Sequence, residues 1–436
     1  MSVLRARAWK DPPALAAAGE GGAVAWLGQA GFLVAMGGLR IVVDPYLSDS
    51  LAEKYRGTRF PHERMTPPPV PPGQLREVDW LLCTHGHTDH MDPGTISPLL
   101  DASPDARVLV PRAEAGRAVE RGAPPDRLVL IDAGETVELG PGVTATATPA
   151  AHEQMTRTPE GYRFLGYVLR GGGVTLWHSG DTVPWLGQAE WLSPFRVDAA
   201  LLPVNGRDSL RADNGVPGNL TLEEAVALCD AIGARAMLGH HFGLFDFNTI
   251  DVEDGHRRIS ALACRAELAL ATAETIWDVL PAPRRDLSIL FVCKGNICRS
   301  PLAEGLLAAK SPRCHVESAG LMDGPVGRPP HPRTQAIASE RGLDLSRLRA
   351  RQVAASDFAR FDLILGMDRD NLATLRAMRP PASGARLGRL GAYLEPGSVP
   401  DIEDPWGRDG AAFRAVHDQI ERATDRLASL VDAATR

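Results

Sequence analysis

Apolar and polar positions along the chain fall into two regimes. From about Gly22 to Val279, short β-rich runs alternate with turn signals, as in Ala23-Val24-Ala25-Trp26-Leu27, Leu39-Arg40-Ile41-Val42-Val43, Trp80-Leu81-Leu82-Cys83, Arg107-Val108-Leu109-Val110 and Val174-Thr175-Leu176-Trp177. Strands come first and are then interleaved with helices. Thr221-Leu222-Glu223-Glu224 is a capping box, which predicts a helix running to about Gly233. The stretch Pro67-Pro68-Pro69-Val70-Pro71-Pro72-Gly73 is a loop, because prolines cannot donate to a sheet ladder. A second regime opens with the buried-strand run Ile289-Leu290-Phe291-Val292 and closes with a helical pattern from Ala411 to about Ala434. Between the two, Leu280-Pro281-Ala282-Pro283-Arg284-Arg285-Asp286 reads as a linker. There is no internal repeat.

Length sharpens this division. At 436 residues the chain exceeds what one core ordinarily serves, so we expect a first domain over 1–280, a linker at 281–286 and a second domain over 287–436. Both are expected to be α/β. A formal charge of −7 without a basic block argues against a nucleic-acid partner. The N-terminal segment carries charges throughout and has no apolar core, so no signal peptide is expected, and no run is long and apolar enough to span a bilayer. Six scattered cysteines favour reduced thiols and a cytoplasmic location over a disulfide framework.

Chemistry concentrates in two places. In Thr84-His85-Gly86-His87-Thr88-Asp89-His90, which follows a strand run, His85 and His87 are two apart on extended chain and project to one side, so they can share a metal. Asp89 and His90 stand where a helix is expected to begin and can serve a second metal beside the first. Imidazole mixed with carboxylate suits zinc, manganese or iron. The run resembles the His-x-His-x-Asp-His signature of the metallo-β-lactamase fold, an αββα sandwich with a hydrolytic site for one or two divalent ions. The resemblance implies His85, His87 and His152 on one ion, Asp89, His90 and His241 on the other, and Asp181 between them. His241 is preferred to His240 because the family places an aromatic residue after the ligand, as Phe242 is here. Asp44 is expected to orient a ligand histidine, and His178 to be supporting or structural.

Trp26-Leu27-Gly28-Gln29-Ala30-Gly31, Asp44-Pro45-Tyr46, Leu202-Pro203-Val204-Asn205-Gly206-Arg207-Asp208 and Asn214-Gly215-Val216-Pro217-Gly218-Asn219 are similar to segments of the L-ascorbate-6-phosphate lactonase branch. That resemblance implies a sugar-phosphate lactone as substrate and manganese as a suitable metal. Arg207 is then either the clamp for the substrate phosphate or an ordinary surface or interface arginine.

The second place is Cys293-Lys294-Gly295-Asn296-Ile297-Cys298-Arg299-Ser300, between the Ile289–Val292 run and a helix with Pro301 in its first turn. A strand-to-helix loop turns its N–H groups toward one anion and favours a thiolate beneath it. Over about 287–434 the chain resembles low-molecular-weight protein tyrosine phosphatases, with supporting segments Glu317-Ser318-Ala319-Gly320, Ala350-Arg351-Gln352, Phe361-Asp362-Leu363-Ile364-Leu365-Gly366-Met367-Asp368 and Asp404-Pro405-Trp406. The resemblance implies Cys293 as nucleophile, Arg299 as the transition-state clamp and Asp404 as general acid and base. Ser300 is expected to donate to the thiolate, Asn296 to hold the loop through an unusual backbone angle, and Cys298 to form a protective disulfide on oxidation. Leu348 stands where the family often has a histidine that bonds the loop asparagine, and Trp406 where a tyrosine is common.

The reading is a bifunctional hydrolase: a metal-dependent domain acting on a phosphorylated sugar or lactone, joined to a metal-free, cysteine-dependent phosphatase acting on phosphate monoesters, phosphotyrosine protein among them. Two alternatives remain at this stage: an arsenate reductase-like second domain, for which Cys314 is the one further cysteine after Cys298, and a regulatory or binding role for one of the two domains.

Overall fold

The computed structural model describes residues 2–10, 15, 20–283, 285–381 and 383–435. Arg284 of the expected linker lies outside them. The chain divides into two compact units, one of Met1–Pro184 with Val197–Pro283, the other of Trp185–Arg196 with Arg284–Arg436. The division departs from contiguous boundaries in one respect: Trp185–Arg196 groups with the second unit. The reason is local. Trp191 is fully buried there and its Nε1–H donates to Ala392 O at 3.1 Å. Tyr393 Oη–H donates to Glu190 O at 2.8 Å, and Arg386 donates to Ser193 O at 2.9 Å.

The first unit is the αββα sandwich. One sheet runs, in spatial order, Leu4–Ala8, Thr275–Val279, Gly22–Gly28, Gly31–Met36, Leu39–Val43, Trp80–Leu82, Arg107–Pro111 and Leu128–Ile131. The other runs Glu267–Leu270, Ala236–His240, Ala199–Pro203, Val174–His178, Leu165–Gly171, Val143–Pro149 and Thr136–Gly140. Strands such as Gly31–Met36, Ala199–Pro203 and Ala236–His240 are buried at every residue, as a middle layer covered on both faces must be. On the outer face of the first sheet, Ile96, Leu99, Leu100 and Ala118 from two helices pack on Leu33, Ala35, Val42, Leu81 and Val108. Between the sheets, Phe32 meets His178 and His240 edge-on, and Tyr167 Oη–H reaches Cys83 O at 2.8 Å. The capping-box helix is Leu222–Ile232, with Thr221 and Glu224 bonded reciprocally and Gly233 closing it in the left-handed region.

In the second unit all four strands are parallel, in the order His315–Gly320, Ser288–Cys293, Leu363–Gly366, Arg386–Arg389. Helices cover both faces: Arg299–Lys310 and Gly410–Thr435 lie together, while Phe358, Phe361 and Leu375 close the core against Leu290, Val292 and Ile364. The central strand therefore delivers Cys293 to the carboxyl end of the sheet, where α/β folds place their ligands.

Candidate functional sites

Both sites are built at strand ends. In the first unit, Asp44 follows the strand Leu39–Val43 with φ +46° and is fully buried. Its Oδ1 accepts from Thr84 N at 2.7 Å, and its Oδ2 accepts from Thr84 Oγ1 at 2.6 Å and from His90 Nδ1 at 2.7 Å. This pins the loop after Trp80–Leu82 and turns His90 Nε2 toward Asp181. The helix expected at Asp89 begins later, at Pro93, because Asp92 is the cap that accepts from Gly94 N; Asp89 and His90 lie on the turn before it.

The glycine within the run leaves room for its neighbours. A Cβ on Gly86 meets Glu114 Oε2 at 2.2 Å and Arg117 Cδ at 2.6 Å, so the loop lies directly against an ion pair whose carboxylate is buried.

The sequence-predicted ligands converge. His85, His87 and His152 form one group, His85, His90 and Asp181 a second, and Asp89, His90 and His241 a third, with ligand atoms in each within 4.8 Å of one another. Asp181 spans them: its Oδ1 is 3.3 Å from His90 Nε2 and 3.2 Å from His241 Nε2, and its Oδ2 is 3.9 Å from His152 Nε2. His241, at φ +67° just past the strand Ala236–His240, donates its N–H to Gln29 O at 2.9 Å. His240 points away and stacks on His178 at 5.1 Å. His178 in turn donates to Ala30 O and accepts the Gly180 N–H, which holds the turn carrying Asp181.

This donor set fits a divalent cation. Burial, with His90 and His87 adding to it, keeps His85 well below the ordinary imidazole pKa. Burial first, then His87 and His90 working against Asp181, brings His152 down to about 4. Both present neutral lone pairs near pH 7. His90 moves the other way: burial opposes its charge, but Asp181, Asp44 and Asp89 outweigh that and raise it well above the usual value. Buried His85 Nε2 has no hydrogen-bond partner among the described residues, which is costly unless an ion satisfies it.

Arg207 is not in this cavity. Its guanidinium is bidentate to Glu224 at 2.6 and 2.7 Å and donates to Asn219 O at 3.0 Å, so of its two expected roles the phosphate clamp falls away. Residues whose part the sequence left unassigned are Gln29, whose Nε2–H donates to Asp89 Oδ2 at 3.1 Å, and Thr84. Gln29 lay within a segment singled out by resemblance, and only the fold brings it beside Asp89.

In the second unit, Cys293 Sγ lies 3.1 Å from Ser300 Oγ and accepts the Asn296 N–H at 3.3 Å. Asn296 is buried at φ +54°, which asparagine tolerates. Its Nδ2 donates to Ser300 Oγ at 2.9 Å and Ser318 Oγ at 2.7 Å, and its Oδ1 accepts the Arg351 N–H at 2.9 Å. Ser318 Oγ–H passes on to Glu304. With Leu348 in the histidine position, serine and a backbone N–H secure the asparagine instead.

Arg299 is 1% exposed and held as a fork: NH1 donates to Asp368 Oδ2 at 2.7 Å and Ile402 O at 2.8 Å, NH2 to Asp404 Oδ2 at 2.9 Å. Asp368 also caps the helix Arg369–Met378 through its other oxygen, a dual use that its segment did not disclose. Burial, with Cys293 and Asp404 beside it, pushes the Cys298 thiol up to about 12. The mouth is a cavity of about 360 Å³ lined by Cys293, Cys298, Arg328, Asp404 and the exposed Trp406.

An αββα sandwich with a histidine–aspartate cluster at its strand ends, and a parallel sheet with a cysteine–arginine loop, define a hydrolase of two domains. Residues 39–242 match the beta-lactamase superfamily domain, and residues 288–436 match the low molecular weight phosphotyrosine protein phosphatase family. The low molecular weight protein-tyrosine-phosphatase YfkJ of Bacillus subtilis is 40% identical over 126 residues, 28% of this chain and 81% of that one. The Schizosaccharomyces pombe low molecular weight phosphotyrosine protein phosphatase is 36% identical over 135 residues, 29% of this chain and 86% of the relative. The structure of Igni18, a metallo hydrolase from Ignicoccus hospitalis, is 18% identical and covers 59% of this chain and 97% of its own, with a TM-score of 0.43. Through its second unit the chain belongs to the low molecular weight phosphotyrosine protein phosphatase family, and its first unit carries the β-lactamase-type fold. Among the described residues, no helix is long and apolar enough to cross a membrane.

Proposed function

We propose that the chain is a bifunctional hydrolase with two chemically separate sites. In the second, Cys293 as thiolate attacks phosphorus and forms a phosphocysteine, while Ser300 and the Asn296 N–H stabilise the sulfur. Arg299 gathers the equatorial oxygens, and Asp404 protonates the leaving phenolate and then deprotonates the attacking water. The observation that carries this reading is the buried Arg299 fork, fixed between Asp368 and Asp404, of which Asp404 lines the same mouth as Cys293. The substrate is a phosphate monoester of the phosphotyrosine class, with Trp406 free to stack on its ring. The arsenate reductase alternative loses support from the sheet register. Ser288 pairs with His315 and Cys293 with Gly320, so Cys314 sits at the opposite end of the strands from the nucleophile, roughly 15–20 Å away at the usual rise per residue.

In the first site, His85, His87 and His152 would hold one divalent ion, Asp89, His90 and His241 a second, and Asp181 would lie between them, zinc or manganese suiting the donors. Such an ion lowers the pKa of a coordinated water toward neutrality and polarises the oxygen of the group under attack. Asp44 fixes the His90 tautomer, and Gln29 holds the Asp89 carboxylate. The substrate class is a small lactone or phosphoester of sugar-phosphate type. What carries this half is Asp181, with one oxygen between His90 and His241 and the other toward His152.

The test uses the full chain. Chelation is expected to abolish lactone hydrolysis and spare p-nitrophenyl phosphate turnover. Cys293→Ser is expected to abolish that turnover with bound metal unchanged. Phosphatase activity that survives Cys293→Ser would remove the sulfur chemistry, and lactone hydrolysis insensitive to chelation would remove the metal chemistry.

A further inference from the structure

The wall of the first cavity, about 590 Å³ in volume, sorts by chemistry. Around the candidate ligands His87, Asp89, His152, Asp181 and His241 stand three arginines, Arg117, Arg121 and Arg163, and a separate aromatic group of Tyr55, His62 and Phe245. Tyr55 and His62 stack at 4.4 Å, and His62 meets Phe245 edge-on at 5.1 Å, so this second group is already assembled.

The arginines are short of counter-charge. Glu114, 3% exposed, takes Arg163 at 2.6 Å and Arg117 at 3.4 Å, and one carboxylate thus serves two guanidiniums. Arg121 makes no ion pair among the described residues; it donates to Met91 O at 2.6 Å and Thr88 Oγ1 at 3.2 Å, both neutral acceptors. Beyond the candidate ligands Asp89 and Asp181, Glu153 is the remaining carboxylate in the lining. Arg117 and Arg121 are also four residues apart across one helical turn, a spacing at which like charges repel. Burial, and after it Arg117, lowers the pKa of Arg121, with Asp89 and Glu114 acting in the other direction. The C-terminal end of a six-residue helix, with Arg117 in its last turn and Arg121 as its cap, offsets part of this. In a chain of net charge −7, such a surplus beside a reaction centre calls for a ligand that supplies the missing charge.

We propose that Arg117 and Arg121 bind an oxyanion of the substrate that takes no part in bond cleavage, a phosphate or a carboxylate, while Tyr55, His62 and Phe245 pack against its ring or carbon body. The inference rests on the hydrolase reading of this cavity and replaces Arg207 as the anion site. A planar guanidinium offers two parallel donors to two oxygens, which a neutral analogue cannot use. Since both arginines also brace the metal loop, at Gly86 O and Met91 O, the test has to separate binding from bracing.

The readout is the ratio of kcat/KM for D-glucono-1,5-lactone bearing a 6-phosphate to that for the neutral lactone, with glucarolactone as the carboxylate arm, on the metal-loaded full chain. Arg121→Gln is expected to lower the ratio about tenfold or more, the effect of one lost charge-assisted contact, and Arg121→Lys to restore only part of it, the charge without the two parallel donors. The two anionic arms tell phosphate from carboxylate. A second measurement needs no turnover: calorimetric titration with inorganic phosphate in an Arg299→Met background, which disables the other anion site. Arg121→Gln is expected to weaken phosphate binding about tenfold at unchanged metal content. If no lactone is hydrolysed, the lactonase reading fails, yet the titration still decides the anion site. An unaltered phosphate affinity, or a loss that follows metal content alone, leaves the two arginines as loop braces and overturns the proposal.

Discussion

At the scale of single residues, Asp44 shows how a side chain that touches no substrate governs a site. With one carboxylate it accepts from the Thr84 N–H, the Thr84 hydroxyl and His90, and so sets both the loop and the imidazole tautomer. Asp44→Asn keeps the size but offers one acceptor oxygen in place of two. Metal affinity is expected to fall about 10- to 100-fold, measured by competition with a chromophoric chelator. An affinity equal to that of the parent protein would mean that Thr84 and the backbone suffice. Asp368 is the counterpart in the second unit, capping a helix with one oxygen and aiming Arg299 with the other. Among the candidate ligands, His85, His87, Asp89 and His90 were legible in sequence because their spacing is dense, and His152, Asp181 and His241 only through the resemblance. Asp44 was legible only through its resemblance, and Arg117 and Arg121 not at all, since lone arginines on a short helix carry no pattern.

Elements behave as their local chemistry dictates, with one exception worth testing. The helix Gly410–Thr435 has the expected length and apolar face, but it buries His417, 2% exposed, with neither ring nitrogen hydrogen-bonded among the described residues. Burial first, then Arg341 and Arg414 against Asp418 and Glu340, pushes its pKa down to about 4. The unfolded chain takes up the same proton near pH 6.5. The folded form therefore binds fewer protons, and the contribution is complete above about pH 6.5 and lost as pH falls toward 4. Thermal melts are expected to show the second unit weakening across that window, and His417→Leu to flatten the profile there. Parallel profiles for the two proteins would show that other groups set the slope. The Asp89–His90 segment differs from expectation for an equally local reason: Asp92 followed by Pro93 is the stronger helix start, and it leaves the two candidate ligands on the turn before it.

At the scale of the whole molecule, the segment Trp185–Arg196 completes the second unit although it lies within the first in sequence. Trp191 is its anchor, fully buried, with Arg426 over its ring at 5.4 Å. Trp191→Ala is expected to cost the second unit about 3–5 kcal/mol, as truncation of a buried tryptophan does, so phosphatase activity should disappear at lower denaturant concentration. An unchanged midpoint would mean that the segment is a passive neighbour.

Sequence alone determined the two α/β regimes, the helix limits at Thr221 and Gly233, the dense histidine–aspartate run and the cysteine–arginine loop, because strand periodicity, caps and metal or phosphate chemistry all act over a few neighbouring residues. Tertiary structure decided which distant groups meet: Asp181 between His90 and His241, Ser318 beneath Asn296, Arg207 withdrawn onto Glu224, and the arginines gathered beside the histidine–aspartate cluster. Those contacts join positions from 17 residues apart, Arg207 and Glu224, to 91 apart, His90 and Asp181, where the packing of strands, helices and loops, and not any local rule, brings side chains within reach.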